Sequence, residues 1–219
     1  MLFYDITDGV TAFSTEIGEE NSCEVLVPSR QAHGVKSAVV SSARDFALTD
    51  GVDALITTVP GLSIGVKTAD CVPVLLFDPV ARVAAAIHSG WKGTEANICA
   101  VIVGKLSDEF GSAPSDIKAV VGPCIHLEAF EVGDEVYQRF RDRGLDVFCA
   151  RMPKCGTTSD YKWHIDLPGI CEYQLRECGV RDVRITPICT YASYQRFYSA
   201  RRLGLRLGQR RIITAIGLK

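Results

Sequence analysis

Short apolar runs separated by Gly, Pro and Asp fill the N-terminal part of the chain, up to residue 88. Runs that are rich in Val, Ile and Leu and end at such residues are typical of β-strands. Several of them are apolar at consecutive positions, which indicates strands covered on both faces. The predicted strands are Val10–Ser14, Glu24–Val27, Ser37–Val40, Ala54–Thr58, Ser63–Thr68, Val72–Phe77 and Val83–His88.

After residue 94 the apolar residues recur at three- and four-residue steps, which is typical of helices with one buried face. Ile98, Ile102 and Leu106 follow this spacing, and Gly111 provides a C-terminal stop. The predicted helices are Thr94–Phe110, Glu131–Arg143 and Leu167–Cys178, and the further strands are Ile117–Val121, Val183–Ile188 and Ile212–Ile216. The pattern predicts a mixed α/β fold, built either on one mixed sheet or on a sandwich covered by helices.

Size and charge narrow the classes of protein to which the chain can belong. With 219 residues and no Pro-, Gly- or Ser-rich linker, residues 1–219 are expected to form a single domain. The 24 Lys and Arg residues against 26 Asp and Glu residues give a net charge of −2, so no positive field favours binding to nucleic acid. No apolar run approaches the roughly 18 residues of a membrane span, so no membrane association is expected.

The cysteine count bears on the cellular compartment. Nine cysteines occur, without a Cys-x-x-Cys pair, and the N-terminus lacks the pattern of a secretory signal. An odd number of cysteines in a chain of this kind favours a reduced, cytoplasmic protein. Most of the thiols are expected to pack as small apolar groups, so a functional cysteine has to be identified by its neighbours.

One cysteine and two histidines lie where the predicted strands begin or end. His33 precedes a strand, Cys71 lies between two strands and His88 ends a buried one. His and Cys ligands suit a borderline-soft metal such as Zn²⁺, and three protein ligands leave a fourth position open for water or substrate. The same residues permit a covalent mechanism in which a Cys71 thiolate pairs with His88. The remaining alternative is a packed thiol and hydrogen-bonded histidines without a chemical role.

Longer segments extend the pattern over most of the chain from about residue 31. They are QAHG at 31–34, DALITTVPGLSIGVKTADCVPVLLFDP at 53–79, AAAIHSGWKGT at 84–94, GPCI at 122–125, EVGDEV at 131–136, WHIDL at 163–167 and CTY to FYSARR at 189–202. In this order the segments resemble the YfiH/LACC1 family. Its members are variously described as multicopper polyphenol oxidases with a laccase domain, purine nucleoside phosphorylases and peptidoglycan editing factors. The TADC and HSGWKG segments are the most specific part of the resemblance.

The resemblance implies a fold, a metal and a reaction. The fold is a layered αββα-type sandwich with helices outside the sheets. The metal is zinc, with copper less favoured, held by His33, Cys71 and His88, and the last two residues act in catalysis through it. The reaction is phosphate-dependent cleavage of purine nucleosides, namely adenosine, inosine, guanosine and methylthioadenosine, with adenosine deamination as a second activity. The partners are thus a purine nucleoside and phosphate, for a monomer or homodimer.

Phosphorolysis also needs cations that hold phosphate. Lys92, Arg201 and Arg202 are the predicted substrate-binding residues, because arginine binds phosphate through a planar fork of donors. The alternative for each of them is a solvated surface position. Asp70, beside Cys71, is a candidate acid or base for deamination, but a hydrogen-bonding or turn-capping role is the favoured interpretation.

Two positions depart from the family pattern. Glu16 stands where the family has Arg, and Gly208-Gln209 stands where it has Gly-Arg, although Arg210 is adjacent. A reversed charge at residue 16 affects the expected substrate more than the expected metal.

Three other functions are compatible with these residues. A Cys71 thiolate could act as a hydrolase in peptidoglycan precursor editing, without a metal. Copper-dependent phenol oxidation is the second alternative, which one His/Cys/His set serves poorly because such enzymes use several coppers. The third alternative is a zinc-stabilised interaction module without enzymatic activity.

Overall fold

A computed structural model describes residues 1–19, 24–154 and 160–219, which form three β-sheets and five α-helices. The strands are β1 (Leu2–Tyr4), β2 (Val10–Ser14), β3 (Ser37–Val39), β4 (Ala54–Thr57), β5 (Ser63–Thr68), β6 (Val72–Asp78), β7 (Val83–Ser89), β8 (Lys118–Val121), β9 (Glu131–Val132), β10 (Cys149–Pro153), β11 (Tyr161–Ile165), β12 (Asp182–Ile185) and β13 (Ile212–Leu218). The helices are α1 (Trp91–Glu95), α2 (Ile98–Phe110), α3 (Asp134–Asp142), α4 (Leu167–Glu177) and α5 (Ala200–Leu203). None of these helices combines the length and the apolar character that crossing a bilayer requires.

The central element is a six-stranded mixed sheet with the strand order β12-β8-β6-β7-β4-β3. Its middle strands β6 and β7 are buried at every position, because helices α2 and α4 cover one face and a second sheet covers the other. Successive residues of a strand serve opposite sides, so Leu76 packs toward the helices and Leu75 toward the second sheet. The prediction that these strands are covered on both faces is confirmed.

The second sheet is antiparallel and has the strand order β1-β2-β13-β5. Leu55 and Phe77 of the central sheet pack in one apolar core with Ile64 and Ile216 of the second sheet. A smaller antiparallel sheet has the order β10-β11-β9. The mixed α/β fold predicted from the sequence, with stacked sheets and helices outside them, is therefore confirmed.

The hairpin of β6 and β7 brings Cys71 and His88 close together. Asp78 closes its turn by accepting hydrogen bonds from two backbone N–H groups, at 2.7 and 3.0 Å. The register pairs Val72 with Ser89 and Pro73 with His88. The residue just before β6, Cys71, therefore lies beside the end of β7, although the two cross-strand neighbours are far apart along the chain.

Some element predictions were wrong. The segment Glu24–Val27 is not a strand, and Leu26 contributes an isolated bridge to β5. The single helix Thr94–Phe110 is two helices, because Asn97 adopts a left-handed φ of 59° between α1 and α2. The predicted helix 131–143 begins with strand β9, which pairs with β11. Strands β1, β10 and β11 were not predicted, because they lack a continuous buried apolar run.

Substituting Asn97 by alanine is expected to destabilise the protein by about 1–2 kcal/mol. The change removes the side-chain oxygen that accepts the Ala100 N–H at 3.1 Å, and it puts alanine, which adopts left-handed backbone less readily than asparagine, at a φ of 59°. Glycine at the same position is expected to cost less, since glycine adopts this backbone conformation without strain. Urea unfolding of both variants measures the difference, and equal losses of stability would contradict the explanation.

Candidate metal centre and its cavity

One cysteine and two histidines converge at one end of the central sheet. The ligand atoms of His33, Cys71 and His88 lie within 4.8 Å of one another. The two histidine rings meet edge to face, with centroids 4.7 Å apart at 82°. His88 lies on β7, Cys71 directly precedes β6 and His33 lies in the loop before β3. The structure thus brings together the three residues that the sequence suggested as metal ligands.

Asp53 holds two of these residues in place, and the sequence analysis did not identify it. Its carboxylate is fully buried and accepts the Nδ1 proton of His88 at 2.8 Å. It also accepts the backbone N–H groups of His33 at 2.9 Å and Gly34 at 2.7 Å, where His33 has a left-handed φ of 59°. Because Nδ1 of His88 faces the carboxylate, its Nε2 is left to act as a ligand, an arrangement common among metal-binding histidines.

Hydrogen bonds within the cluster favour the thiolate form of Cys71. Burial raises the pKa of the Cys71 thiol, but hydrogen bonds with His33 and His88 outweigh burial and lower this pKa. Burial likewise lowers the pKa of His88, but hydrogen bonds with Asp53 and Cys71 outweigh it and raise the pKa. A thiolate is the form of cysteine that binds metals and also the form that acts as a nucleophile. The donor set therefore fits a borderline-soft metal ion such as zinc.

Gly90 leaves the space that the cluster needs. A Cβ atom at this position would lie 2.7 Å from Cδ2 of His33 and 3.3 Å from Sγ of Cys71. Its φ of −69° is open to any residue, so the contact, and not the backbone, requires glycine here.

Replacing Gly90 by alanine is therefore expected to push the His33 ring aside and weaken metal binding by about tenfold, the lower end of effects from outer-shell changes. The matched control is Gly104→Ala on α2, where a Cβ meets nothing within 4 Å. That control is expected to bind metal normally and to be slightly more stable, because alanine is the better helix former. Metal affinity by competition with a chromogenic chelator measures both, and unchanged affinity in Gly90→Ala would contradict the steric argument.

The cluster opens onto a cavity of about 360 Å³. This volume lies in the range of about 300–1,000 Å³ that is common for small-molecule sites. Its lining residues are Gln31, His33, Lys67, Thr68, Ala69, Cys71, His88, Ala200, Leu207, Gln209 and Arg211. The cations of this lining, Lys67 and Arg211, were not identified from the sequence.

The three predicted substrate-binding cations do not line this cavity. Nζ of Lys92 lies 5.5 Å from the centroid of the neighbouring Trp91 ring. Arg201 donates to the backbone carbonyl of Glu131 at 2.9 Å, and the guanidinium of Arg202 lies 4.2 Å from the Tyr191 ring. A role of these cations in substrate binding stays a prediction, and their contacts give it no support.

Asp70 acts as a structural acceptor beside the cluster. Its carboxylate accepts hydrogen bonds from the hydroxyls of Thr190 at 2.7 Å and Ser199 at 3.0 Å, and from the backbone N–H of Arg201 at 2.6 Å. It adopts a left-handed φ of 87°. The favoured interpretation of Asp70, a hydrogen-bonding residue, agrees with these contacts, which fasten the start of α5 to the segment before Cys71.

The two departures from the family pattern have different surroundings. Glu16 forms a paired contact with the guanidinium of Arg196, at 2.8 and 3.0 Å, so its negative charge is balanced locally. Gln209 lines the cavity, and the arginine that lines it beside Gln209 is Arg211 and not Arg210.

Comparison with known proteins places this arrangement among related chains. Residues 6–219 match the model of the family described as multi-copper polyphenol oxidoreductase laccase. A purine nucleoside phosphorylase of Bacteroides thetaiotaomicron is 42% identical over 180 residues, which are 80% of this chain and 64% of that protein. Adenosine deaminase RL5, from an unknown prokaryotic organism, is 37% identical over 195 residues, 84% of this chain and 72% of that protein. These names support the prediction of an enzyme.

Solved structures share the fold. The crystal structure of the hypothetical protein YfiH from Bacillus licheniformis superposes with a TM-score of 0.81 at 23% identity, covering 99% of both chains. YlmD from Geobacillus stearothermophilus superposes with a TM-score of 0.79 at 24% identity, covering 97% of this chain and 93% of that chain. At these identities the similarity establishes the architecture alone.

Proposed function

Because the chain belongs to the multi-copper polyphenol oxidoreductase laccase family, and its His33, Cys71 and His88 converge at a cavity, we propose that it is a metal-dependent purine nucleoside phosphorylase. The observation that carries the proposal is the convergence of three soft or borderline ligand atoms within 4.8 Å at the wall of a cavity large enough for a small molecule. The name of the relative from Bacteroides thetaiotaomicron supports the nucleoside as substrate.

Zinc is the proposed metal. A thiolate and two neutral imidazoles are ligands that zinc prefers, and three protein ligands are typical of catalytic zinc sites. When bound, the metal would supply Lewis acidity toward an oxygen or nitrogen of the substrate. His33, Cys71 and His88 would hold it, and Asp53 would keep the His88 ring in the tautomer that presents Nε2.

The proposed reaction exchanges one bond to the sugar for another. A phosphate oxygen forms a bond to C1′ of the ribose while the bond between C1′ and N9 breaks. The electron pair leaves with the purine, which takes up a proton, and ribose 1-phosphate is the second product. The chain must therefore orient two substrates side by side in the cavity and neutralise a dianion, and it must keep competing water from C1′.

Adenosine deamination is a second candidate, favoured by the similarity to adenosine deaminase RL5. It would use water in place of phosphate and replace the amino group at C6 by oxygen, releasing ammonia. The same cluster would serve both reactions. They differ in the attacking group, and in whether C6 of the purine or C1′ of the ribose faces the ligands.

The other interpretations have less support. Among the residues that the structure describes, His33, Cys71 and His88 are the one group of His, Cys and acidic residues close enough together to hold a metal ion. Phenol oxidation by several coppers would need further groups of ligands. A metal-free cysteine hydrolase would use the same Cys71 thiolate with His88, and it predicts that activity survives chelation. An interaction module would bind metal but turn over no nucleoside.

A reducing compartment such as the cytoplasm is also part of the proposal. The seven cysteines in the described ranges are free thiols, while Cys23 and Cys155 lie outside them. Free thiols persist where glutathione and thioredoxin keep them reduced. A monomer or homodimer stays the expectation for the oligomeric state.

Product analysis by chromatography tests the proposed function. The purified protein is incubated with adenosine, inosine or guanosine, with and without phosphate. Free base and ribose 1-phosphate that form only with phosphate are the expected result. Inosine formed from adenosine without phosphate would make the protein chiefly a deaminase. If all three nucleosides stay unchanged, the proposal is wrong.

A further inference from the structure

We propose that Lys67 and Arg211 form the subsite that binds inorganic phosphate in the cavity beside His33, Cys71 and His88. This assignment rests on the proposed function and deepens it. It replaces the cations expected from the sequence, which lie outside the cavity lining, by two that lie within it.

The sheet register places the two cations side by side. Lys67 on β5 pairs with Ile213 on β13, and Arg211 lies two residues before Ile213 on the same chain segment. Residues two apart along an extended chain point to the same face, so Arg211 is the diagonal neighbour of Lys67 across the strand pair. Both side chains thus project from one face, at the end of the sheet where β5 leads into Cys71.

Neither cation has an acidic partner in the described part of the chain. No carboxylate there lies within 4.0 Å of Lys67 or Arg211, whereas other described arginines, such as Arg30, Arg139, Arg143 and Arg196, pair with nearby acids. Nη1 of Arg211 donates to the carbonyls of Gly208 at 2.9 Å and Arg210 at 2.7 Å, which holds the guanidinium in place. Burial and the charge of Arg211 lower the pKa of Lys67. Two adjacent cations without a counter-charge are the arrangement that an anion stabilises.

Two polar residues beside the pair line the same cavity. The backbone of Lys67 is fixed by Gln31, whose side chain accepts its N–H and donates to its carbonyl, both at 2.8 Å. Thr68 lines the same cavity, is 1% exposed, and its hydroxyl has no hydrogen-bond partner among the described residues. A buried hydroxyl without a partner is costly, so a ligand that accepts its hydrogen bond would relieve the cost.

The chemistry of the pair selects a compact dianion. Arginine offers paired N–H donors in a plane, and lysine adds a mobile point charge, which is a combination that proteins use for phosphate. A phosphate group could reach the subsite as inorganic phosphate or as the 5′-phosphate of a nucleotide. We assign inorganic phosphate, because under the proposed function the attacking phosphate must lie in the same cavity as the nucleoside, and Lys67 and Arg211 line this cavity together with His33, Cys71 and His88.

Calorimetric titration with inorganic phosphate tests the assignment on the protein as purified, with its metal content measured. Lys67→Gln and Arg211→Gln are each expected to raise the Kd for phosphate by about tenfold or more, since a hydrogen bond to a charged group is lost. Lys67→Arg keeps the charge and is expected to stay within a few-fold of the unsubstituted protein. The matched controls are Lys162→Gln and Arg151→Gln, exposed cations of β11 and β10 that lie outside the cavity lining and are expected to leave the Kd unchanged.

Two outcomes would overturn the assignment. One is a phosphate Kd in Lys67→Gln and Arg211→Gln equal to that of the unsubstituted protein, at equal metal content. The other is binding of adenosine 5′-monophosphate without binding of inorganic phosphate, which would make the pair a nucleotide subsite. Phosphate binding that depends on the pair, in a protein that cleaves no nucleoside, would uphold the subsite while the proposed function fails. The two failures are therefore distinguishable.

Discussion

Replacing Cys71 by alanine is expected to abolish metal binding and, with it, cleavage of purine nucleosides. In the proposed site the Cys71 thiolate would be the charged ligand, and hydrogen bonds with His33 and His88 stabilise this form. Loss of an outer-shell partner alone lowers metal affinity about 10- to 100-fold, so loss of this ligand should lower it at least 100-fold. Metal content after dialysis and the rate of base release measure the two effects.

The control for this prediction is Cys178→Ala. Cys178 is a half-buried thiol at the end of α4, outside the cavity lining, and its loss should leave metal content and activity unchanged. A Cys71→Ala protein that keeps a full equivalent of metal would contradict the ligand assignment. One that keeps its activity would overturn both the metal-dependent and the cysteine-nucleophile mechanisms.

The second large effect is expected at Asp53, a positioning residue that would touch neither metal nor substrate. Its carboxylate orients the His88 ring and holds the backbone N–H groups of His33 and Gly34. In Asp53→Asn the amide cannot accept all three hydrogen bonds, since one of its two terminal atoms is a donor. Metal affinity is expected to fall about 10- to 100-fold.

A general loss of stability could also lower metal affinity. The control variant must therefore lose the hydrogen bonds of a buried carboxylate that lies away from the cluster. Asp78 is equally buried and also accepts two backbone N–H groups, but it lies at the far end of β6 from the cluster. Both N–H groups bond to Oδ1 of Asp78, which an amide would retain, so the control substitution is Asp78→Ala, which should destabilise the fold and leave metal affinity unchanged. Both variants are compared at a temperature at which circular dichroism shows them folded. Equal metal affinity in the two would refute the positioning role of Asp53.

That His33, Cys71 and His88 lie together could be predicted from the sequence, because they lie in the segments that resemble the family and at strand ends; their role as metal ligands stays a prediction. Asp53 could not be identified in the same way, because its role depends on contacts with the His88 side chain and with the backbone N–H groups of His33 and Gly34, which lie 19 to 35 residues away along the chain. One signal was present: a carboxylate directly before the buried run Ala54–Thr57 needs partners when the fold buries it. The sequence shows that such partners are needed but not which residues they are.

The cations that line the cavity show the same limit of sequence-based prediction. Lys92, Arg201 and Arg202 lie in segments that match the family, yet proximity along the chain does not determine where a long side chain points. Lys67 and Arg211 meet only through the pairing of β5 with β13, two strands that are far apart along the chain. No local pattern in either segment encodes that contact.

The fold shows where pattern reasoning succeeds. Strands β6 and β7 could be predicted because burial on both faces requires consecutive apolar residues. Strands β10 and β11 form a sheet with many exposed positions, so polar and apolar residues are mixed and the pattern is weak. The division between α1 and α2 depends on the conformation of one residue, Asn97, inside an otherwise helical apolar pattern.

Stepwise restoration of metal tests whether cleavage of purine nucleosides depends on a metal bound by His33, Cys71 and His88. The protein is stripped with a chelator, zinc is added back in steps, and base released from adenosine in the presence of phosphate is measured at each step. We expect no base release from the stripped protein, and a rate of base release that rises linearly with added zinc up to one zinc per chain. Full activity in the stripped protein, or zinc binding at one equivalent without any base release, would contradict this expectation.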